Sequence, residues 1–93
     1  MNITTMAQFI RAARYDHDAI ISVTVDDEAV QIDGRKIGAG GKIYGTGRRI
    51  TLEQLALANF DIISHTLEIV LAQVLNHASQ RPMTGINVFK EPQ

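Results

Sequence analysis

Ninety-three residues with nine Lys or Arg against ten Asp or Glu carry a net charge of −1, and 45% of the chain is hydrophobic. That length holds one domain with a modest core, and that composition excludes a disordered chain. Without Cys there is no disulfide, thiolate metal site or cysteine nucleophile, and with no Trp, two Tyr and three Phe the core has to be aliphatic. The start, Met1 to Met6, lacks the basic and apolar segments of a secretory leader. No stretch approaches the roughly 18 uninterrupted apolar residues of a membrane span. The expected setting is the cytoplasm, with no membrane partner.

The first element is a short helix. Thr5 and Gln8 stand at capping-box spacing, and Met6, Phe9, Ile10 and Ala13 recur at helical intervals. It is expected to end near Tyr15, where Asp16-His17-Asp18 breaks the pattern. Those three residues have the composition of a metal cluster, yet neighbours on an extended chain point apart, so they read as a turn.

Ile21, Val23 and Val25 alternate with Ser22 and Thr24, the period of a half-buried strand. Asp26-Asp27-Glu28 reads as a turn, Val30 and Ile32 resume the alternation, and Asp33-Gly34 reads as a two-residue hairpin turn. A further strand is expected from Arg35, interrupted by a glycine bulge at Gly38 to Gly41, through Lys42-Ile43-Tyr44 to a close at Gly45-Thr46-Gly47. The result is a three- to four-stranded antiparallel meander.

Thr51-Leu52-Glu53-Gln54 is a second capping box. No Gly or Pro follows until Pro82, which predicts one long helix from Leu52 to about Ser79. Its apolar arc is wide, with Leu52, Ala56, Phe60, Ile63, Leu67, Val70, Val74 and Ala78 on one stripe and Leu55, Ile62, Ile69, Leu71 and Leu75 flanking it. Such breadth exceeds what one side of a small sheet consumes. A homo-oligomer, most simply a homodimer, is therefore expected, with Ile62, Ile63, Leu67, Val70, Leu71 and Val74 at its interface. The fold class is α+β in a single domain over 1–93, the tail 83–93 loosely attached, although Ile86, Val88 and Phe89 could add an edge strand or dock on a partner.

The charge pattern is blocked. Asp16 to Asp33 holds six carboxylates and no Lys or Arg, whereas Gly34 to Arg49 holds six of the seven glycines, five of the nine basic residues and no acid. That window matches neither the dinucleotide fingerprint nor the P-loop, since Ile43 follows Gly41-Lys42 where Ser or Thr is required. Its glycines read first as turns and bulges. The alternative is a module binding a nucleotide or a nucleic-acid backbone through Lys36, Lys42, Tyr44, Arg48 and Arg49. An isoelectric point near 6.2 counts against a broad nucleic-acid surface.

Asp61, His65 and Glu68 share a helical face but read as its solvated strip, and His77 suits a helix C-terminus. No nucleophile, base and acid fall into a catalytic order, so neither an enzyme nor a cofactor or metal is expected. The sequence is read as a small oligomeric interaction protein that binds, and modulates or inhibits, a protein partner. Compact chains of this composition are frequent among phage and plasmid accessory proteins that act on host factors, in which case the setting is the host cytoplasm.

Overall fold

In the computed structural model, residues 1–79 are described, and 80–93 lie outside the described residues. The expectations for the tail 83–93, including an added strand at Ile86, Val88 and Phe89, fall there. Helix α1 spans Ile3–His17, strands β1, β2 and β3 span Ala19–Val25, Ala29–Ile37 and Ile43–Thr51, and helices α2 and α3 span Leu52–Leu57 and Ile62–Ser79. The strands form one antiparallel sheet in the order β1-β2-β3. No helix among the described residues is long and apolar enough to cross a membrane.

Helix α1 starts two residues before the expected box. Asn2 caps it, its side chain accepting from the Thr5 amide at 2.8 Å. It ends on Asp18, which takes the left-handed conformation (φ 53°) and donates its amide to the Ala13 and Arg14 carbonyls, a role to which Asp is adapted.

The acidic turn between β1 and β2 holds as expected. Asp26 accepts the Glu28 and Ala29 amides at 2.8 and 2.9 Å. Those two bonds, the Glu28 amide first, hold its carboxyl below the usual range, with Arg49 adding to the effect.

The expected hairpin at Asp33-Gly34 does not exist. β2 runs straight through it, pairing Asp33 with Ser22 and Gly47 and Gly34 with Ile21 and Thr46. Gly34 is buried under α3, where an added Cβ would lie 2.7 Å from Val70 Cγ1 and 3.2 Å from Ile21 Cδ1. Here glycine serves the close approach of helix to sheet rather than a turn. The reversal comes later. A single 3₁₀ turn over Ala39–Gly41 is closed by the Gly38 amide on the Lys42 carbonyl at 2.7 Å, with Gly40 and Gly41 at φ 74° and 76°. Among the described residues the sheet therefore has three strands, and β3 continues through Gly45 and Gly47 to Thr51.

The long helix is also divided. Thr51 and Gln54 form the expected capping box, but α2 closes after six residues and Ala58 is extended. Asp61 then starts α3, accepting the Ser64 amide at 3.0 Å. A good N-cap residue can begin a new helix without any Gly or Pro to end the old one. Consequently Leu52 and Phe60 stand exposed instead of extending the α3 stripe.

The core lies between the sheet and α3, with α1 packed at the β1 side. Ile21, Val30, Ile32 and Ile50 meet Leu67, Val70 and Val74, and Met6, Phe9 and Ile10 pack against them. Ile32, Leu67, Val70 and Val74 are fully buried, each worth about 1.5–3 kcal/mol in removed apolar surface. Leu67, Val70 and Val74, expected at an oligomer interface, spend their apolar surface inside one chain. Ile62, Ile63 and Leu71 are half-buried against the same core.

Candidate functional site

Strand geometry decides how the charged residues are shared out, because successive side chains on a strand face opposite ways. Tyr44, Thr46, Arg48 and Ile50 of β3 fall on the side of α3, where Thr46 Oγ1 donates to Gln73 Oε1 at 3.2 Å. Arg49 is on the opposite side, its Nη2 3.5 Å from Glu28 Oε1. Lys36 pairs with Tyr44 across the ladder, and its amine donates to the His17 carbonyl. Lys42 sits at the end of the β2–β3 turn. Of the five residues expected to hold a phosphate, only Lys36 and Tyr44 are brought together. Arg48 and Arg49 are parted by the sheet.

The metal-like spacing on the last helix is likewise dispersed. Asp61 is the α3 cap, with Oδ2 3.1 Å from the Met1 amine. The Ser64 amide, then the Met1 amine, lower its carboxyl from the usual range. His65 stacks edge-on to Phe60 with ring centres 5.7 Å apart. Among the described residues no three His, Asp or Glu side chains group as a metal site.

What the structure does assemble is on the other side of the sheet. Both long helices share one face, which leaves Ile20, Ser22 and Thr24 of β1, Gln31, Asp33, Arg35 and Ile37 of β2, and Ile43, Gly45, Gly47 and Arg49 of β3 on a face without a helix layer among the described residues. Its middle is low and polar. Asp33 Oδ1 accepts from Gln31 Nε2 at 3.2 Å and lies over Gly47, where an added Cβ would meet it at 2.5 Å.

One end of this face is apolar. Ile20, Ile37 and Ile43, at 38%, 60% and 68% exposure, come from all three strands. Ile37 and Ile43 are direct cross-strand partners, and Ile20 is opposite Arg35. They line a hollow of about 170 Å³ together with Arg14, Asp18, Arg35 and Lys36. Arg14 Nε is 4.0 Å from Asp18 Oδ1.

Sequence reasoning missed these three isoleucines. Ile20 is out of phase with the inward set Ile21 and Val23, a signal that was available. The pairing of Ile37 with Ile43 was hidden, because it needs the reversal at Gly38–Lys42 rather than at Asp33-Gly34. Comparison of the chain with family models, curated proteins and solved structures gives no match.

Proposed function

We propose that this chain is a small non-enzymatic interaction module that binds a protein partner through the helix-free face of its sheet and modulates it. The observation that supports this is the cluster of Ile20, Ile37 and Ile43, exposed on three adjacent strands with cations around it. Exposed apolar groups gathered in one place with a polar rim are characteristic of contact surfaces, whereas isolated ones are ordinary. Self-assembly through α3 has less to stand on, since its most apolar residues are already covered. A homo-oligomer built on that helix would have to use Ile62, Ile63 and Leu71.

The test is photo-cross-linking in the source cell, with a photoreactive residue at Thr24 on the open face or at Glu68 on α3. A discrete protein adduct from Thr24 and none from Glu68 is the expected result. Adducts from Glu68 alone, or from neither position, would count against the reading. Nucleic acid in the Thr24 adduct would favour the phosphate-binding alternative.

A further inference from the structure

From the same surface we infer that the isoleucine hollow takes one large apolar side chain presented by an acidic peptide segment of the partner. This rests on the open face being the binding face, and it adds the chemistry of what is bound. Size is the first argument. The hollow's 170 Å³ is close to the roughly 150 Å³ apolar cavity that accepts benzene, so it suits a Phe or Leu side chain. Its walls are three isoleucines, with no aromatic ring on which a base could stack, which disfavours single-stranded nucleic acid.

Charge is the second argument. Two cations, Arg14 and Arg35, line the hollow against one carboxylate, Asp18. Asp18 is matched by Arg14. Lys36 borders the hollow, but as the partner of Tyr44 it projects to the α3 side, where its amine donates to the His17 carbonyl. The Arg35 side chain makes no hydrogen bond or ion pair among the described residues. An apolar anchor flanked by Asp or Glu satisfies both the pocket and its rim. The chain's own segment 80–93 carries Arg81 and Lys90 against Glu91, the same sign as the rim, and is the poorer occupant.

The test uses the full chain with ¹³C-labelled isoleucine methyl groups, titrated with the probe acetyl-Asp-Glu-Phe-Glu-Asp-amide. Saturable shifts confined to Ile20, Ile37 and Ile43 are expected. A probe with Lys in place of every acid, or Ser in place of Phe, should bind at least about tenfold more weakly. Arg35→Glu should weaken the acidic probe by a similar factor, and Ile43→Asp should abolish its binding. Both positions are exposed, so both variants should keep the wild-type melting temperature; if one does not, the other still decides.

Shifts elsewhere, equal binding of the basic probe, or no binding at millimolar probe would overturn the inference. So would shifts at the three isoleucines on dilution of the protein alone, which would mean a second copy fills the hollow. Shifts there on truncation after Ser79, which would mean segment 80–93 fills it, would overturn it too. A protein cross-link from Thr24 beside a failed titration would retain the interaction function and discard the acidic anchor. A failed cross-link would remove both.

Discussion

Replacing Gly34 by Ala tests the packing of α3 on the sheet. The added methyl would stand 2.7 Å from Val70 Cγ1, 3.2 Å from Ile21 Cδ1 and 3.6 Å from Val74 Cγ1, whereas carbons rest at about 3.5–4.0 Å. The Ile21 terminus can swing away. Val70 cannot do so easily, because a β-branched residue in a helix has one strongly preferred rotamer. Either Val70 leaves its rotamer or the helix lifts, and overpacking of this kind costs about 1–3 kcal/mol. Removing a glycine from the unfolded chain returns about 0.4–1 kcal/mol. The expected net loss is about 1–2 kcal/mol, which for a domain of this size lowers Tm by roughly 4–16 °C. Urea and thermal denaturation of Gly34→Ala, Val70→Ala and the double variant would measure it. The double variant should be more stable than the summed single losses by about 1 kcal/mol, since the methyl then occupies space that Val70 has vacated. Gly34→Ala as stable as wild type, or strict additivity, would refute the packing. A glycine in a hairpin turn would also resist Ala, but it would not couple to Val70.

Gly47→Ala should cost far less than Gly34→Ala, under about 1 kcal/mol by denaturation, because its methyl meets the movable ends of Asp33 and Gln31 rather than a helix. Leu67→Asp or Val70→Asp should leave the chain unfolded by circular dichroism, as each buries a carboxylate without a partner. Thr51→Ala removes the α2 cap, where the Gln54 amide donates to Thr51 Oγ1 at 3.1 Å and Gln54 Oε1 accepts the Thr51 amide at 2.9 Å. It should cost about 1 kcal/mol and speed hydrogen exchange in α2 while leaving α3 protected. Asp26 and Asp61 have folded-state pKa values lowered by backbone amides. Their stabilisation is therefore present above the unfolded value of about 3.9 and is lost as pH falls through the folded values. Denaturation midpoints should drop below about pH 4, and Asp61→Asn should make the drop shallower.

Much of the fold was legible because local signals agreed with each other. Alternation marked β1, the carboxylate run marked its turn, and the Thr51–Gln54 box marked the start of α2 to the residue. Two failures share a cause, in that local chemistry was read without its tertiary partner. Asp33-Gly34 has turn-forming residues, but Gly34 is required by Val70 one layer away. The wide apolar arc after Leu52 looked like surplus surface because the break at Ala58 to Asp61 carries no Gly or Pro. Once divided, Leu67, Val70 and Val74 prove to match a sheet that glycine has lowered to receive them. The site was least legible. The basic residues of the glycine-rich window are close in sequence but are parted by the strand period. The isoleucines that do converge are 23 positions apart (Ile20 to Ile43) and depend on two registers.

The bare sheet face is measured most directly by adding a soluble paramagnetic probe to the isoleucine-labelled chain and recording methyl relaxation. Ile20, Ile37 and Ile43 should broaden strongly while Ile21, Ile32 and Ile50, on the helix side of the same strands, stay sharp. Protection of Ile37 and Ile43 in dilute protein would mean that this face is already covered, and the binding surface would have to be sought elsewhere.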